Sequence, residues 1–415
     1  MSRFAFYRLS AVVLCVLMAS LPFVVFASEP MPQQQGFVTN TPMSSPAEAT
    51  PVATSAPTVA APPATADTST ADTDNTELVD DAGEPVVLNY PAECDYVPGE
   101  STNQACIEFM NANLEPPVTN TVRDATTLSQ YSFWRVGPEA VTTFASPNGE
   151  ANGTIPQGFN FVNVVSQTDG WIQAEDGDWI RMEDGYSVPA SEFTGVLLPE
   201  DWTLPFGWIL DITGIYASSV PGGEPDSNTG LVPLHYERFN IYDEVLADDG
   251  WVYYLVGPDQ WVKQIYMTVI KPTPRPDDVF GRWVAVDLFE QSLVAYDGNR
   301  PVFATLISTG LPGTETNEGV FEVWARLERD GMSGATGAPN AYALQSVPWV
   351  QYFDDGISLH GTYWHDLFGY RRSRGCVNLS ISDSRWVYDF FTPTAQAGDP
   401  SFVYVHSTGE FRGEG

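Results

Sequence analysis

The sequence of 415 residues predicts a mainly β protein with a disordered N-terminal linker and one short helix near the C-terminus. Gly and Pro are abundant, at 34 and 33 residues, which favours many turns over long helices. Beyond about residue 126, apolar and polar residues alternate between Gly- and Asp-containing turns, as they do in hairpins and small barrels. Only Ser382–Phe391, "SDSRWVYDFF", has helical spacing, and Ser382 is its predicted N-cap.

The charge of the chain excludes one class of partner. Asp and Glu number 53 against 18 Lys and Arg, which gives a formal net charge of −35. Such an acidic surface repels phosphate, so we expect no nucleic-acid partner and no tight docking on anionic lipid.

The first 27 residues have the pattern of an export signal. Arg3 and Arg8 precede an apolar run, residues 9–27, that ends in Val-Phe-Ala. We expect cleavage after Ala27, which gives an extracytoplasmic protein. The alternative is a membrane anchor through residues 9–27, because the run is nearly long enough to span a bilayer. Either way, the protein is secreted or anchored in the cell envelope.

Two segments separate this signal from the predicted barrels. Residues 28–84 are rich in Pro, Ala, Thr, Ser and acidic residues, and cannot bury enough apolar surface to fold. Residues 85–125 contain Cys94 and Cys106, which flank a short polar loop. In an oxidising compartment we expect a disulfide here, stabilising by about 3 kcal/mol. Loss of Cys15 with the signal then leaves Cys376 as an odd thiol, either an intermolecular bridge or a reactive group.

Two similar stretches follow, "DGWIQAEDGDWIRM" at 169–182 and "DGWVYYLVGPDQWVKQ" at 249–264. Each places Asp-Gly-Trp before an alternating strand, a turn and a second Trp. They resemble SH3-like bacterial modules, here residues 126–200 and 201–275. The resemblance implies binding of wall polymers or peptides; the alternative is a pair of spacers whose Trp residues fill their cores.

A Pro-rich stretch, Lys271–Asp278, is the predicted hinge to a last β-rich domain at 279–407. In that domain, alternation predicts strands that begin near Trp283, Gln291 and Pro301, with a hairpin turn at "DGN".

The stretch "LHGTYWHDLFGYRRSRGCVNLS", residues 359–380, gathers scarce residue types. It has two of the four His residues, the odd Cys and three arginines. Cys376 follows a glycine on a turn, where Arg371, Arg372 and Arg374 would lower the thiol pKa and favour the nucleophilic thiolate. His360, at a strand end, is the candidate base, and His365 is the second candidate.

The motif "HGT…SRGCVN" resembles the signature of the YkuD-type L,D-transpeptidases, with matching residues at His360, Gly361, Thr362, Ser373, Arg374, Gly375, Cys376 and Asn378. "TNEGVF" at 316–321 and "VPWVQYF" at 347–353 resemble two further family strands. The resemblance covers about residues 280–406. Arg374 stands where the family usually has a second His, and the interval between His360 and Ser373 is slightly short.

The resemblance implies a YkuD-type β-sandwich and acyl transfer between peptidoglycan stem peptides, a donor and an acceptor, with no metal or nucleotide cofactor. Cys376 would form a thioester and His360 would move the proton. Backbone groups at Gly375 and Gly361 would hold the oxyanion. The implied substrate-binding or ordering residues are Ser373, Arg374, Asn378, His365 and Tyr342.

Arginine binds carboxylates bidentately, so Arg374 would bind a substrate carboxylate. The alternative is that the arginines only pair with Asp355, Asp366 or Asp383. The expected product is a 3→3 cross-link. The alternatives are an L,D-carboxypeptidase of the same fold and a weakly active or inactive wall-binding scaffold. The order His then Cys disfavours NlpC-type wall peptidases, and the Ser-x-Gly-Cys-x-Asn motif disfavours sortases.

Overall fold

A computed structural model describes residues 86–210, 214–338 and 340–409. The predicted export signal at 1–27 and the predicted linker at 28–84 lie outside the described residues. Within the described ranges, no helix is both long and apolar enough to cross a membrane.

The C-terminal domain, residues 279–407, is built from two sheets and a helix. Its strands and helix are β16 Arg282–Asp287, β17 Ser292–Asp297, β18 Arg300–Leu306, β19 Gly319–Glu322, β20 Ala325–Gly334, β21 Tyr342–Asp354, β22 Ile357–Gly361, β23 Val377–Leu379, α3 Ile381–Ala397 and β24 Phe402–His406. The predicted hairpin turn is confirmed, because Asp297 pairs with Arg300 across Gly298 and Asn299. Gly298 supplies the positive φ that a tight turn requires.

The two sheets and the helix share one apolar core. One has the strand order β18-β17-β16-β24-β19, and the other contains β23-β22-β21 with β20 also paired to β21. A shared apolar core lies between them, with Val387 and Phe391 of α3 packed into it. Ser308 and Asn378 exchange two backbone hydrogen bonds of 2.9 Å, which tie the sheets together at β23.

The helix differs from its prediction at both ends. Its N-cap is Ser380, whose hydroxyl accepts the Asp383 N–H at 3.1 Å, so the predicted cap Ser382 is wrong. Strand β23 ends at Leu379, which places Ser380 at the turn, while Ser382 accepts the Asp124 N–H at 3.0 Å. The helix also continues past Phe391 to Ala397 and ends at Gly398, which has the left-handed φ of a helix terminator.

Two small antiparallel units precede this domain. The range predicted as the first module, residues 126–200, begins within α2 Ala125–Gln130 and contains β2 Phe133–Val136, β3 Val141–Phe144, β4 Ala151–Ile155, β5 Phe159–Thr168, β6 Trp171–Ala174, β7 Trp179–Arg181, β8 Gly185–Ser187 and β9 Val196–Leu197. The second module, residues 201–275, has β10 Phe206–Ile209, β11 Arg238–Asn240, β12 Asp243–Leu246, β13 Val252–Gly257, β14 Gln260–Lys263 and β15 Met267–Val269.

The two repeated stretches occupy equivalent places in these modules. Each forms a hairpin, β6–β7 or β13–β14, followed by one turn of 3-10 helix and a short closing strand. Trp171 and Trp261 are only 8% and 3% exposed, as core residues are. The two repeated stretches are therefore similar in structure as well as in sequence. The SH3-like assignment of the modules stays a prediction.

The segment before the modules contains the disulfide that the sequence predicts. It holds a 3-10 turn at Ala92–Cys94, α1 Gln104–Ala112 and β1 Thr119–Asn120. Cys94 and Cys106 are bonded at 2.00 Å, and the pair packs with Tyr253 and Trp261 of the second module.

Both modules share apolar cores with the C-terminal domain. Trp208 of the second module packs in one cluster with Trp283, and Phe161 of the first packs in another with Tyr363. Strand β9, at the end of the first module, pairs with β18 of the C-terminal sheet. The modules therefore pack directly against the C-terminal domain.

The predicted hinge at Lys271–Asp278 is wrong. Lys271 forms a 2.6 Å ion pair with the buried Glu290 of the C-terminal domain. The Thr273 N–H donates to the Tyr296 hydroxyl at 2.7 Å, and the Thr273 hydroxyl lies 3.1 Å from His406 Nε2. Proline restricts φ, so a Pro-rich stretch can be a stiff packed strap as readily as a hinge.

Candidate active site

Strand register brings the predicted catalytic side chains to one face of a sheet. Strands β22 and β23 are parallel, with His360 opposite Asn378. Side chains two residues apart on a strand share a face, so Ser358 and His360 lie on the face shared by Asn378 and Cys376, which immediately precedes β23. The Ser358 hydroxyl lies 3.8 Å from Cys376 Sγ. The thiol and the imidazole are thus diagonal neighbours across two strands.

The imidazole of His360 is held in one tautomer. Its Nδ1–H donates to the Gly361 carbonyl at 3.2 Å, which leaves the lone pair on Nε2. The side chain is buried, and burial lowers the pKa of His360 to about 4, although the hydrogen bond to Gly361 acts in the opposite direction. His360 is therefore neutral at pH 7 and is equipped to accept a proton at Nε2.

The thiol of Cys376 is half-buried, and the expectation that arginines lower its pKa is wrong. Burial raises the pKa of Cys376, opposed only by hydrogen bonds from Ser358. The guanidinium of Arg374 lies 4.7 Å from the centre of the Tyr342 ring instead. The resting pair is consequently a neutral thiol and a neutral imidazole, so His360 must act as a general base during attack.

His365 stands behind this pair and contacts Asn378. Its Nδ1 accepts the Leu367 N–H at 3.3 Å, and its Nε2 lies 3.0 Å from the Asn378 side-chain amide. Burial lowers the pKa of His365 to about 3, with smaller effects of Arg372 and His360 in the same direction. Both ring nitrogens are engaged, which suits His365 to an orienting role.

The turn that carries the thiol is held by side-chain hydrogen bonds. The Ser373 hydroxyl donates to the Cys376 carbonyl at 2.5 Å and accepts the Gly375 N–H at 3.1 Å. The Thr316 hydroxyl donates to the Gly375 carbonyl at 2.7 Å. Gly375 has a φ of +115°, which residues with a side chain rarely adopt. Ser373 thus orders the nucleophile, and the Gly375 N–H expected at the oxyanion is already donated to Ser373.

Gly361 also has a different contact from the expected one. A Cβ at this position would lie 2.6 Å from Ser384 Oγ and 2.9 Å from Pro348 Cγ. The glycine lets the end of β22 approach the first turn of α3, and its carbonyl fixes the His360 tautomer. The structure therefore places Gly361 beside the base.

Tyrosines of strand β21 complete the thiol side of the site. Burial raises the pKa of Tyr342, with a smaller contribution from a charge on Cys376. Burial and a 2.9 Å hydrogen bond to Asp330 raise the pKa of Tyr352, with a smaller contribution from Cys376, so the Tyr352 hydroxyl is directed at Asp330. The sequence reasoning proposed Tyr342 but missed Tyr352 and Ser358. Ser358 could have been found, because it lies two residues before His360 on a strand and must share its face. Thr316 begins the stretch "TNEGVF", but its hydrogen bond to the Cys376 turn depends on tertiary structure.

Two of the three acidic residues offered as partners for the arginines, Asp366 and Asp383, are engaged elsewhere. Asp383 is buried and accepts hydrogen bonds from the Gly195 N–H at 2.8 Å and the Thr305 hydroxyl at 2.6 Å. Asp366 accepts from the Ser191 hydroxyl at 2.5 Å. Among the described residues, no ion pair joins Arg372 or Arg374 to a carboxylate, and no cluster of His, Cys, Asp or Glu could hold a metal ion.

Comparison with known protein families identifies the C-terminal domain. Residues 281–405 match the sequence model of the YkuD family, described as the L,D-transpeptidase catalytic domain. This stretch is a YkuD L,D-transpeptidase catalytic domain. The YkuD domain lies inside the predicted range of 279–407 and contains the whole Cys376 site. The prediction of a mainly β chain with a YkuD-type domain in its C-terminal region is confirmed.

Solved structures similar to the chain include L,D-transpeptidases from two bacteria. One, from Stackebrandtia nassauensis, is 26% identical over 32% of this chain and 60% of its own, with a TM-score of 0.25. The Enterococcus faecium L,D-transpeptidase C442S mutant is 26% identical over 33% of this chain and 55% of its own, with a TM-score of 0.26. The similarity thus spans little more than half the length of these relatives. A comparison with curated proteins gives no match.

Proposed function

We propose that the chain is a peptidoglycan L,D-transpeptidase that acts in the cell envelope and forms 3→3 cross-links through a thioester on Cys376. The observation that carries the proposal is the register of β22 and β23. This register supports the pairing because Cys376 and His360 share one face of the two strands, and the His360 Nδ1–H is committed to Gly361, so that Nε2 is the basic nitrogen.

The proposed acylation proceeds as one proton transfer and one substitution. Nε2 of His360 takes the thiol proton as Sγ attacks the carbonyl carbon of the third stem residue. The C–N bond to the terminal D-Ala then breaks, and the imidazolium returns the proton to the leaving amine. The product is a Cys376 thioester and free D-Ala.

The second half reverses these roles. A side-chain amine of another stem attacks the thioester carbonyl, Nε2 accepts the amine proton, and the C–S bond breaks to give the amide cross-link. The thiolate then recovers its proton from the imidazolium. Water in place of the amine would give the carboxypeptidase reaction, so the acceptor decides between the two activities.

Mass analysis of products from a defined tetrapeptide muropeptide tests this proposal. We expect D-Ala release and a cross-linked dimer with the wild type, no D-Ala release with Cys376→Ala, and a loss of about 10²–10⁴-fold with His360→Ala. His406→Gln is the matched control, because His406 lies on β24 and contacts Thr273. Release of D-Ala by the Cys376 variant would reject the mechanism.

The same samples separate the alternative functions. Tripeptide without dimer would identify an L,D-carboxypeptidase. A carbapenem should also acylate Cys376 and increase the intact mass by one adduct. A folded, reduced protein that forms neither product nor adduct would be a wall-binding scaffold, inactivated by the change at Arg374.

A further inference from the structure

A cavity of about 790 Å³ lies between the second module and the YkuD domain. Small-molecule sites usually enclose about 300–1,000 Å³ and combine apolar walls with a few polar groups. The second module supplies Trp251, Gln264 and Tyr266 to the lining, and the YkuD domain supplies Tyr370, Arg371 and Arg372. Its volume and composition are therefore those of a ligand site. The proposed reaction, as described above, does not use this cavity.

The cavity presents a basic group within a strongly acidic protein. Its only acidic lining residue in the described part of the chain, Glu290, pairs with Lys271 at 2.6 Å and accepts the Val269 N–H at 2.9 Å. Arg371 donates to the Leu288 carbonyl and its charge acts on Glu315. The charge of Arg372 is not cancelled by the lining, and in a chain with only 18 basic residues an exposed arginine in a cavity indicates a negatively charged ligand.

Arg372 is anchored by its backbone while its guanidinium stays available. The Arg372 N–H donates to the Thr309 carbonyl at 2.9 Å, and the following residue bonds the same carbonyl at 3.0 Å. The side chain is exposed, and nothing in residues 86–210, 214–338 or 340–409 forms an ion pair or hydrogen bond with its guanidinium. A fixed backbone with an available fork of N–H donors suits recognition of a carboxylate.

The cavity is connected to the catalytic face by two hydrogen-bonded neighbours. Leu367 lines the cavity, and its N–H donates at 3.3 Å to His365, whose Nε2 lies 3.0 Å from the Asn378 amide. Ser373, the neighbour of Arg372, donates to the Cys376 carbonyl at 2.5 Å. Arg374, in contrast, lies over Tyr342, and neither of these two residues lines the cavity. Arg372 and Arg374 therefore belong to two different surroundings of the Cys376 turn.

We propose that the cavity between the second module and the YkuD domain binds a peptide with a free carboxylate, which is the acceptor stem of the transfer reaction. This inference rests on the proposed function. Arg372 holds the carboxylate, and the rings of Trp251, Tyr266 and Tyr370 pack against the apolar parts of the peptide. The second module then contributes to substrate binding directly and is more than a spacer.

Binding to the full chain with Cys376→Ala, which cannot turn over, tests the inference. The probes are a stem tripeptide with a free C-terminal carboxylate and the same tripeptide as its C-terminal amide, both titrated by calorimetry. We expect the acid to bind about tenfold more tightly than the amide. Arg372→Gln should weaken binding of the acid about tenfold without changing that of the amide, whereas the control Arg123→Gln, on the first-module side, should change neither.

Three results would overturn the inference: equal affinity for acid and amide, no binding of either, or loss of acid binding in Arg374→Gln with none in Arg372→Gln. The last would place the peptide on the Tyr342 side. D-Ala release from a tetrapeptide by the wild type is measured in parallel. Absence of release would reject the proposed function, while the titration still reports whether the cavity binds a carboxylate.

Discussion

At the scale of single residues, burial dominates the electrostatics of the catalytic pair. A cation 4 Å from a thiolate would stabilise it by about 4 kcal/mol near a protein surface, which is enough to lower a thiol pKa. The arginines next to Cys376 in sequence are directed elsewhere: Arg374 lies over Tyr342, and Arg372 lines the cavity. Desolvation therefore decides both protonation states, and the thiol and the imidazole rest neutral.

This pairing predicts a flat pH profile for acylation of Cys376 by a carbapenem. The active base is neutral His360, and its activity is lost only as pH falls through a pKa that burial lowers to about 4. Since burial raises the pKa of the thiol, neither group titrates between about pH 6 and 8. We expect the acylation rate constant, from stopped-flow fluorescence, to vary less than about twofold in this range.

The variant His360→Ala provides the control for that profile. Without a base, only the small thiolate fraction reacts, so the rate constant should rise about tenfold per pH unit. A wild-type profile with a steep limb near neutral pH would instead indicate a preformed thiolate–imidazolium pair.

At the scale of elements, the site depends on how closely β22 approaches α3. Gly361 ends the strand, and the first turn of the helix lies against it, as the short distances from a Cβ at this position show. Its carbonyl also binds the Nδ1–H of His360. A single glycine thus couples helix packing to the tautomer of the base.

We expect Gly361→Ala to destabilise the protein and slow acylation. The added methyl would contact Ser384 and Pro348 at 2.6 and 2.9 Å, and overpacking of this kind costs about 1–3 kcal/mol. Gly356→Ala is the matched control, because a Cβ there meets no atom within 4 Å. Chemical denaturation measures the free energy of unfolding of both variants. Equal stability of Gly361→Ala and Gly356→Ala would show that the helix moves to accommodate the methyl group without loss of stability.

At the scale of the whole molecule, the first module supports the hairpin that carries Tyr342. Strand β5 pairs in parallel with β21, matching Phe159 with Tyr342. The Gln345 side chain accepts the Asn163 N–H at 3.1 Å and donates to Asp176 at 2.8 Å. The wall of the active site is therefore built partly by a module that lies outside the matched family range.

Breaking this junction should affect the active site without touching it. A Cβ at Gly158 would lie 2.6 Å from the Ala341 carbonyl oxygen, next to the bond from the Phe159 N–H to that oxygen. We expect Gly158→Ala to speed hydrogen exchange in residues 342–344 about tenfold and to reduce kcat/KM for the tetrapeptide.

The control for that junction is Gly331→Ala. A Cβ at Gly331, on the same hairpin, would meet only the Leu344 carbonyl oxygen at 3.9 Å. Unchanged exchange in Gly158→Ala would show that the module is only a neighbour of the hairpin.

Local chemistry in the sequence was sufficient to predict the mainly β class, the YkuD-type domain and the turn at "DGN", since alternation, glycine-dependent turns and a short contiguous motif are readable along the chain. It also led to Cys376 and His360, which the structure brings to one face. Three features were decided by tertiary packing alone: the protonation of the thiol, the strap at Lys271–Asp278, and the cavity with Arg372. Each depends on which distant groups are brought into contact, because burial and pairing across a fold are not properties of neighbours in sequence.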